Sequence, residues 1–271
     1  MDSTVQTLSI LIIVTAFAAL AIGSQFVRRK RSAFPIRAIS GYQALPDQIG
    51  LAIEKGQGLH VSLGSAGLGG VTSTTALAAN ELLYQISLRS SVGGAVPAIT
   101  VSDPTALPMA YGTLQAALRQ RGAAPRGAFD PAVQWYAGGA RSLAFAAAIT
   151  GAMANERSAY NVFAGGFGHE LALPLLASQR GRAASLATSD QIEGQAVAYA
   201  MADQALLGEE LYAAGAYLGD SASALGSVVT QDLLRVLIIA FLIIAVIMSV
   251  GDALSGGAVS GFLGGLLGGG A

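Results

Sequence analysis

The sequence predicts an α/β fold: a Rossmann-like, mostly parallel five-stranded sheet with helices on both faces, flanked by an N-terminal and a C-terminal transmembrane helix. Three observations carry this. Between residues 59 and 202, short strand-like runs alternate with helix-length patterns, the mark of βαβ units. Residues 5–27 are almost unbroken hydrocarbon and end in Arg28-Arg29-Lys30-Arg31. Residues 233–250 form a second apolar run.

Composition agrees with a chain that keeps part of its surface in lipid, and equally with a core made mostly of Ala and Gly. Charged residues are 11% against ~25% in soluble domains, and apolar residues are 53% against ~45–50%. The net charge of -1 gives no global basic field, so no nucleic-acid partner is expected. With no cysteine, disulfides, thiolate nucleophiles and cysteine metal sites are excluded.

Residues 1–31 read as an uncleaved anchor with a basic flank. The first apolar run is long enough for a ~30 Å hydrocarbon slab at ~1.5 Å per residue. A cleaved signal peptide would carry its positive charge before the apolar run, whereas here Met1-Asp2-Ser3-Thr4 precedes it. Lys and Arg at a membrane end favour the cytoplasmic side. The expectation is therefore an integral membrane protein whose soluble domain is cytoplasmic and whose N- and C-termini lie on the outer side. Arg28, Arg29, Lys30 and Arg31 are candidate contacts for lipid headgroups, and topology signalling alone also accounts for them.

Residues 32–58 form a connector and a first helix, from Pro46 to Lys55, with Pro46 in its first turn and Gly56-Gln57-Gly58 ending it. Residues 59–219 form the Rossmann-like domain. Leu59–Leu63 is the first strand, followed by a glycine-rich turn and a helix over Thr72–Leu88. Ala98–Val101 leads through Asp103-Pro104 to a helix ending near Arg121. Val133–Tyr136 leads through Gly138-Gly139 to a helix ending near Ala154. Tyr160–Phe163 leads through Gly165-Gly166 to a helix ending near Gln179. Ala184–Ala187 leads through Ser189-Asp190 to a helix ending near Ala202. An amphipathic piece, Leu206–Leu218, closes the domain.

Residues 220–252 lead into the second span. Asp220 can cap a helix that starts at Ser221 and runs through Gln231-Asp232 into the apolar run, and a flexible Ser-rich linker is the alternative. Arg235 has a stem long enough to snorkel to headgroups. In the tail, 253–271, Gly257, Gly261, Gly265 and Gly269 recur every fourth residue. On a helix they make a close-packing strip; the ~1 kcal/mol that each glycine costs a helix favours a disordered or interfacial tail.

Candidate chemistry gathers at the turns that follow strands. The turn Gly64-Ser65-Ala66-Gly67-Leu68-Gly69-Gly70 can aim backbone N–H groups at a phosphate, with Gly67, Gly69 and Gly70 as ligands. Its spacing is neither G-x-G-x-x-G nor a P-loop, and tight turn geometry explains the same glycines. Asp103 stands where dinucleotide-binding folds hold a ribose hydroxyl; followed by Pro104, it also reads as an N-cap with proline at N1. Gly166 and His169 follow the fourth strand, where His169 can contact a ligand or act as acid or base. His60 reads as a core or sheet-surface residue of the first strand, and Glu209-Glu210 as a solvated helix face. No metal-ligand spacing and no G-x-S-x-G elbow occurs, so no metal, cofactor or catalytic residue is assigned.

The stretches Leu59–Gly70 (LHVSLGSAGLGG), Ile99–Leu107 (ITVSDPTAL), Gly208–Gly219 (GEELYAAGAYLG) and Gln231–Arg235 (QDLLR) resemble an uncharacterised bacterial family of membrane-anchored proteins, a domain of unknown function. The resemblance implies a Rossmann-like domain with membrane segments and supplies no substrate or site residue. The activity is thus unknown. The first expectation is a structural or assembly-forming module, with membrane lipids and either further copies of itself or other membrane proteins as partners. The alternative is a nucleotide- or phosphate-binding domain, possibly enzymatic, at the carboxyl edge of the sheet.

Overall fold

The computed structural model describes residues 10, 13–15, 17, 18, 21, 37–122, 132–138, 142–219 and 222–255. The chain divides into two compact units, Ile36–Ala224 and a second formed by Met1–Pro35 with Leu225–Ala271.

The first unit is an α/β body. Its order is α1 (Ser40–Glu54), β1 (Gly58–Gly64), α2 (Ser73–Ser90), β2 (Ala98–Val101), α3 (Ala106–Gln120), β3 (Val133–Trp135), α4 (Leu143–Glu156), β4 (Ser158–Gly166), α5 (Ala172–Arg180), β5 (Ala184–Ser189), α6 (Ile192–Met201), β6 (Gln204–Ala205) and α7 (Ala214–Tyr217). The strands lie in the order β3-β2-β1-β4-β5-β6. Every pairing is parallel, with Val61 opposite both Ile99 and Val162, and Leu186 opposite Gln204. The chain moves outward from β1 through β3 and then returns to the other side of β1. That reversal creates a topological switch point between β1 and β4, where open α/β sheets hold ligands.

The two central strands are buried almost throughout, as a parallel sheet covered on both faces requires. Residue alternation sorts their side chains. Phe163 joins Phe145, Ile149 and Met153 of α4, Leu171 and Leu175 at the start of α5, and Ala198 of α6 in one apolar cluster. Phe167 closes it, edge-on to Phe163. His60 lies beside Phe163 on β1, with Nε2 3.1 Å from Thr100 Oγ1. It is fully buried, and desolvation lowers its pKa to about 4, so it is a neutral core residue, the first of the two expected placements.

Several boundaries differ from those the sequence suggests. The sheet has six strands: β6 holds only Gln204 and Ala205, too short to leave a period-two signal. The first helix begins at Ser40, so Pro46 is inside it. Tyr42 explains this: it is buried, stacks on Tyr217 and donates from its hydroxyl to the Glu210 carbonyl, and that anchoring offsets the proline's lost hydrogen bond. Residues 206–218 form a 3-10 helix, Gly208–Ala213, followed by α7. Glu210 is not merely solvated. It pairs with Arg37 and accepts from the Leu207 N–H at 3.0 Å.

The last helix, α8 (Ala222–Ser255), whose residues from Leu225 on belong to the second unit, includes the apolar run 233–250 on one continuous helix, the non-linker alternative. Among the described residues no helix is long and apolar enough to cross a membrane. The basic cluster Arg28–Arg31, most of the first apolar run, Asp220, Ser221 and the glycine strip from Gly257 lie outside the described residues.

Candidate functional site

The switch point brings the turns after β1 and β4 into direct contact. Ser65 donates from both its backbone N and its Oγ to the Gly166 carbonyl, each at 2.9 Å. The Gly64 carbonyl accepts from the Ser102 N–H at 2.9 Å, which ties in the end of β2. Such close approach needs residues without side chains. A Cβ on Gly166 would stand 2.8 Å from Ser65 Oγ and 3.0 Å from Ala66 N. Gly165 has φ +144 and faces the Leu63 carbonyl directly. Gly166 therefore serves backbone packing between the central strands.

The glycine-rich turn has its N–H groups already engaged. Gly67 N donates to Thr72 Oγ1 at 3.3 Å, and Leu68 N to Thr105 Oγ1 at 2.7 Å. Gly69 N and Gly70 N donate to Ser73 Oγ at 3.0 and 3.1 Å. The groups that would cradle a phosphate are thus satisfied by hydroxyls of the protein itself. A side chain on Gly67 would collide with the Asp103 carboxyl group. Asp103 and Gly67, separate in the sequence, are together in space.

Asp103 is a turn former. Its Oδ1 accepts from the Thr105 N–H at 2.8 Å and from Thr105 Oγ1 at 2.5 Å, and α3 starts at Ala106 with Thr105 as N-cap. The Asp-cap, Pro-N1 arrangement is therefore displaced by two residues. The physical reason is the additional turn closed by the Ala106 N–H on the Asp103 carbonyl at 3.1 Å.

His169 is exposed, its backbone carbonyl accepts from the Ala172 N–H, and its ring forms no hydrogen bond among the described residues. Its neighbour Glu170 is buried instead, with Oε1 accepting from the Gly168 N–H at 2.8 Å and Oε2 unpartnered. Asp190 accepts from Thr75 Oγ1 at 3.0 Å, and Thr75 lies 3.4 Å from the Tyr212 hydroxyl. Glu170, Thr75 and Tyr212 did not stand out in the sequence. An acid beside the more conspicuous His169, and hydroxyls after a glycine turn, were the available signals. Ser189 Oγ donates to the Phe167 carbonyl at 2.6 Å and accepts from the Gln191 N–H at 3.0 Å, so it too serves turn geometry.

The titratable groups in the described turns after β2, β4 and β5 are thus Asp103, His169, Glu170 and Asp190. No cluster of metal-ligating side chains is present among the described residues. What the edge does well is lock β1, β2, β4 and β5 together.

These features define a parallel α/β protein of Rossmann-like topology whose described strand-following turns are tied together by internal hydrogen bonds. The chain belongs to a family described as a domain of unknown function (DUF6754), which matches residues 3–257. That description states no activity, ligand or membrane role. No curated protein and no solved structure matches the chain.

Proposed function

We propose that the protein is held in a lipid bilayer by its terminal apolar segments and that its α/β body is an interaction module. The described residues alone supply no membrane-crossing helix. The support is the unbroken, uncharged sequence Val236–Val250 carried on α8. One observation carries the reading. Val236, Ile238, Ile239, Leu242, Ile243, Val246, Ile247 and Val250 are all exposed, from 48% at Ile239 to 63% at Ile247. Leaving each about half exposed to water forgoes about 1 kcal/mol of burial, a cost that lipid removes. A helix of 34 residues is about 51 Å long, more than the ~30 Å hydrocarbon slab requires. On this reading Arg28, Arg29, Lys30 and Arg31 meet headgroups on the side of the α/β body, the cytoplasmic one, with the termini opposite.

The interaction role is supported by α6. Ile192, Ala196, Tyr199 and Ala200 share one face of that helix and are exposed; Ile192 is 83% and Tyr199 75% exposed. The occupied N–H groups of the Gly67–Gly70 turn weigh against the nucleotide alternative. Alkaline carbonate extraction tests the first half: the full chain stays in the membrane pellet, and its release would overturn the reading. Light scattering in mild detergent tests the second. We expect a mass of more than one chain that falls to one chain in I192E/Y199E; a wild-type monomer without partners co-purifying would contradict it.

A further inference from the structure

Away from the carboxyl edge, at the amino ends of β4 and β5, a groove of about 1090 Å³ opens beneath α4 and α5. That is slightly above the ~300–1,000 Å³ of small-ligand sites. Ala147 and Met153 of α4 and Leu173, Leu176 and Ala177 of α5 give it apolar walls. Its polar lining is ordered: buried Asn161 accepts from Ser158 Oγ at 2.7 Å and donates to Ser178 Oγ at 3.0 Å. Lys55, Arg157, Arg180 and Arg182 complete the lining, and no Asp or Glu is among the described lining residues. No ion pair among the described residues engages any of the four cations.

Two of these arginines occupy unusual backbone positions. Arg157 has φ 48 at the end of α4, and Arg182 has φ 55 just after α5. Arg157 immediately precedes β4, and Arg182 stands two residues before β5. Glycine suits the left-handed region at a helix end, and the chain places arginine there twice. At the second site a glycine is adjacent, yet Gly181 has φ -75 and the left-handed residue is Arg182. Both side chains line the same groove. Strained non-glycine residues converging on one cavity point to a task beyond chain reversal.

We propose that this groove binds an anionic amphiphile, with an aliphatic chain along the α4–α5 walls and a carboxylate or phosphate head held by Arg157, Arg180 and Arg182. Guanidinium groups suit such heads because their planar fork matches both oxyanions bidentately. Apolar walls without charge would take a neutral lipid, and the cations without walls would take free phosphate; the groove has both. The inference concerns the α/β body alone, so it stands or falls independently of whether α8 enters a bilayer.

The test uses the full chain in nonionic detergent with a diazirine-bearing palmitic acid. After irradiation, adducts are mapped by peptide mass spectrometry, with dodecyl phosphate, dodecanol and inorganic phosphate as competitors. Adducts are expected within 147–157 and 173–183, displaced by dodecyl phosphate at concentrations at least tenfold below dodecanol and unaffected by inorganic phosphate. The variant R157Q/R180Q/R182Q should lose labelling tenfold or more, while R157K/R180K/R182K keeps most of it. L176E, a change at an exposed wall position, should also abolish labelling and guards against misfolding of the triple variant. Adducts confined to other segments, dodecanol competing as well as dodecyl phosphate, or undiminished labelling in both the glutamine variant and L176E would overturn the proposal. Competition by inorganic phosphate at equal concentration would replace the amphiphile with a small anion and overturn it as well.

Discussion

Replacing Gly165 by alanine probes the joint on which the whole sheet depends. At this position φ is +144, outside the range of ordinary L-residues, and the added Cβ would stand 2.8 Å from the Leu63 carbonyl carbon and nearer still to its oxygen. The obstacle is backbone of β1, and β1 is fixed by β2 on its other side, so no side-chain rotation relieves it. Backbone strain of this kind costs about 1–3 kcal/mol, and overpacking a further 1–3 kcal/mol. A central value of about 4 kcal/mol corresponds to a fall in Tm of about 8–16 °C for a body of this size. Gly112 is the internal control. It lies exposed in α3 with nothing within 4 Å of a Cβ, so G112A should stabilise by about 1 kcal/mol. Thermal melts followed by far-ultraviolet circular dichroism on the purified full chain distinguish the two. If G165A melts within a degree or two of wild type, the switch-point packing described above is wrong.

The pH dependence of stability should carry a signature of His60. Its folded pKa of about 4 lies below the ordinary 6.5, so between these values the unfolded chain binds the extra proton and stability falls as pH falls. The loss is about 2 kcal/mol at pH 5 and about 3 kcal/mol at pH 4, and none arises from this residue above pH 7. Denaturant midpoints at pH 7, 5 and 4 measure it, and an unchanged slope in H60Q would assign the effect elsewhere. At the other sheet edge, Asp203 Oδ2 accepts from the Ser185 N–H at 2.8 Å and from its Oγ at 2.9 Å. D203A leaves these buried donors unpaired and should cost about 1–3 kcal/mol, with D203N nearer wild type in the same melts; equal stability of D203A and wild type would deny the bond any role.

The strand-helix alternation was legible because buried parallel strands such as Leu59–Leu63 and Tyr160–Phe163 are short apolar runs bounded by glycine. The position of the candidate edge followed from the same pattern, since every βα turn of a parallel sheet lies there. What occupies the glycine turn was not legible. Thr105 reaches Leu68 only because β2 neighbours β1, and a strand order cannot be read from spacing. Likewise Pro46 read as a helix start until the burial of Tyr42, which depends on residues 210–217, extended α1 upstream. The groove cations are scattered along the sequence between Lys55 and Arg182, and neither arginine's left-handed backbone leaves a trace in residue type. The apolar run 233–250 was visible outright, since its signal needs no tertiary partner.

The placement of α8 is best tested by nitroxide labels at single cysteines, clean in a chain with no cysteine of its own. Labels at Ile238, Leu242 and Val246, with Gln231 as the polar reference, are read in reconstituted bilayers for collision with oxygen and with a water-soluble nickel chelate. Lipid contact predicts high oxygen and low nickel accessibility at the three aliphatic sites and the reverse at Gln231. Nickel collisions at Ile238, Leu242 and Val246 equal to those at Gln231 would place this helix in water and contradict the account.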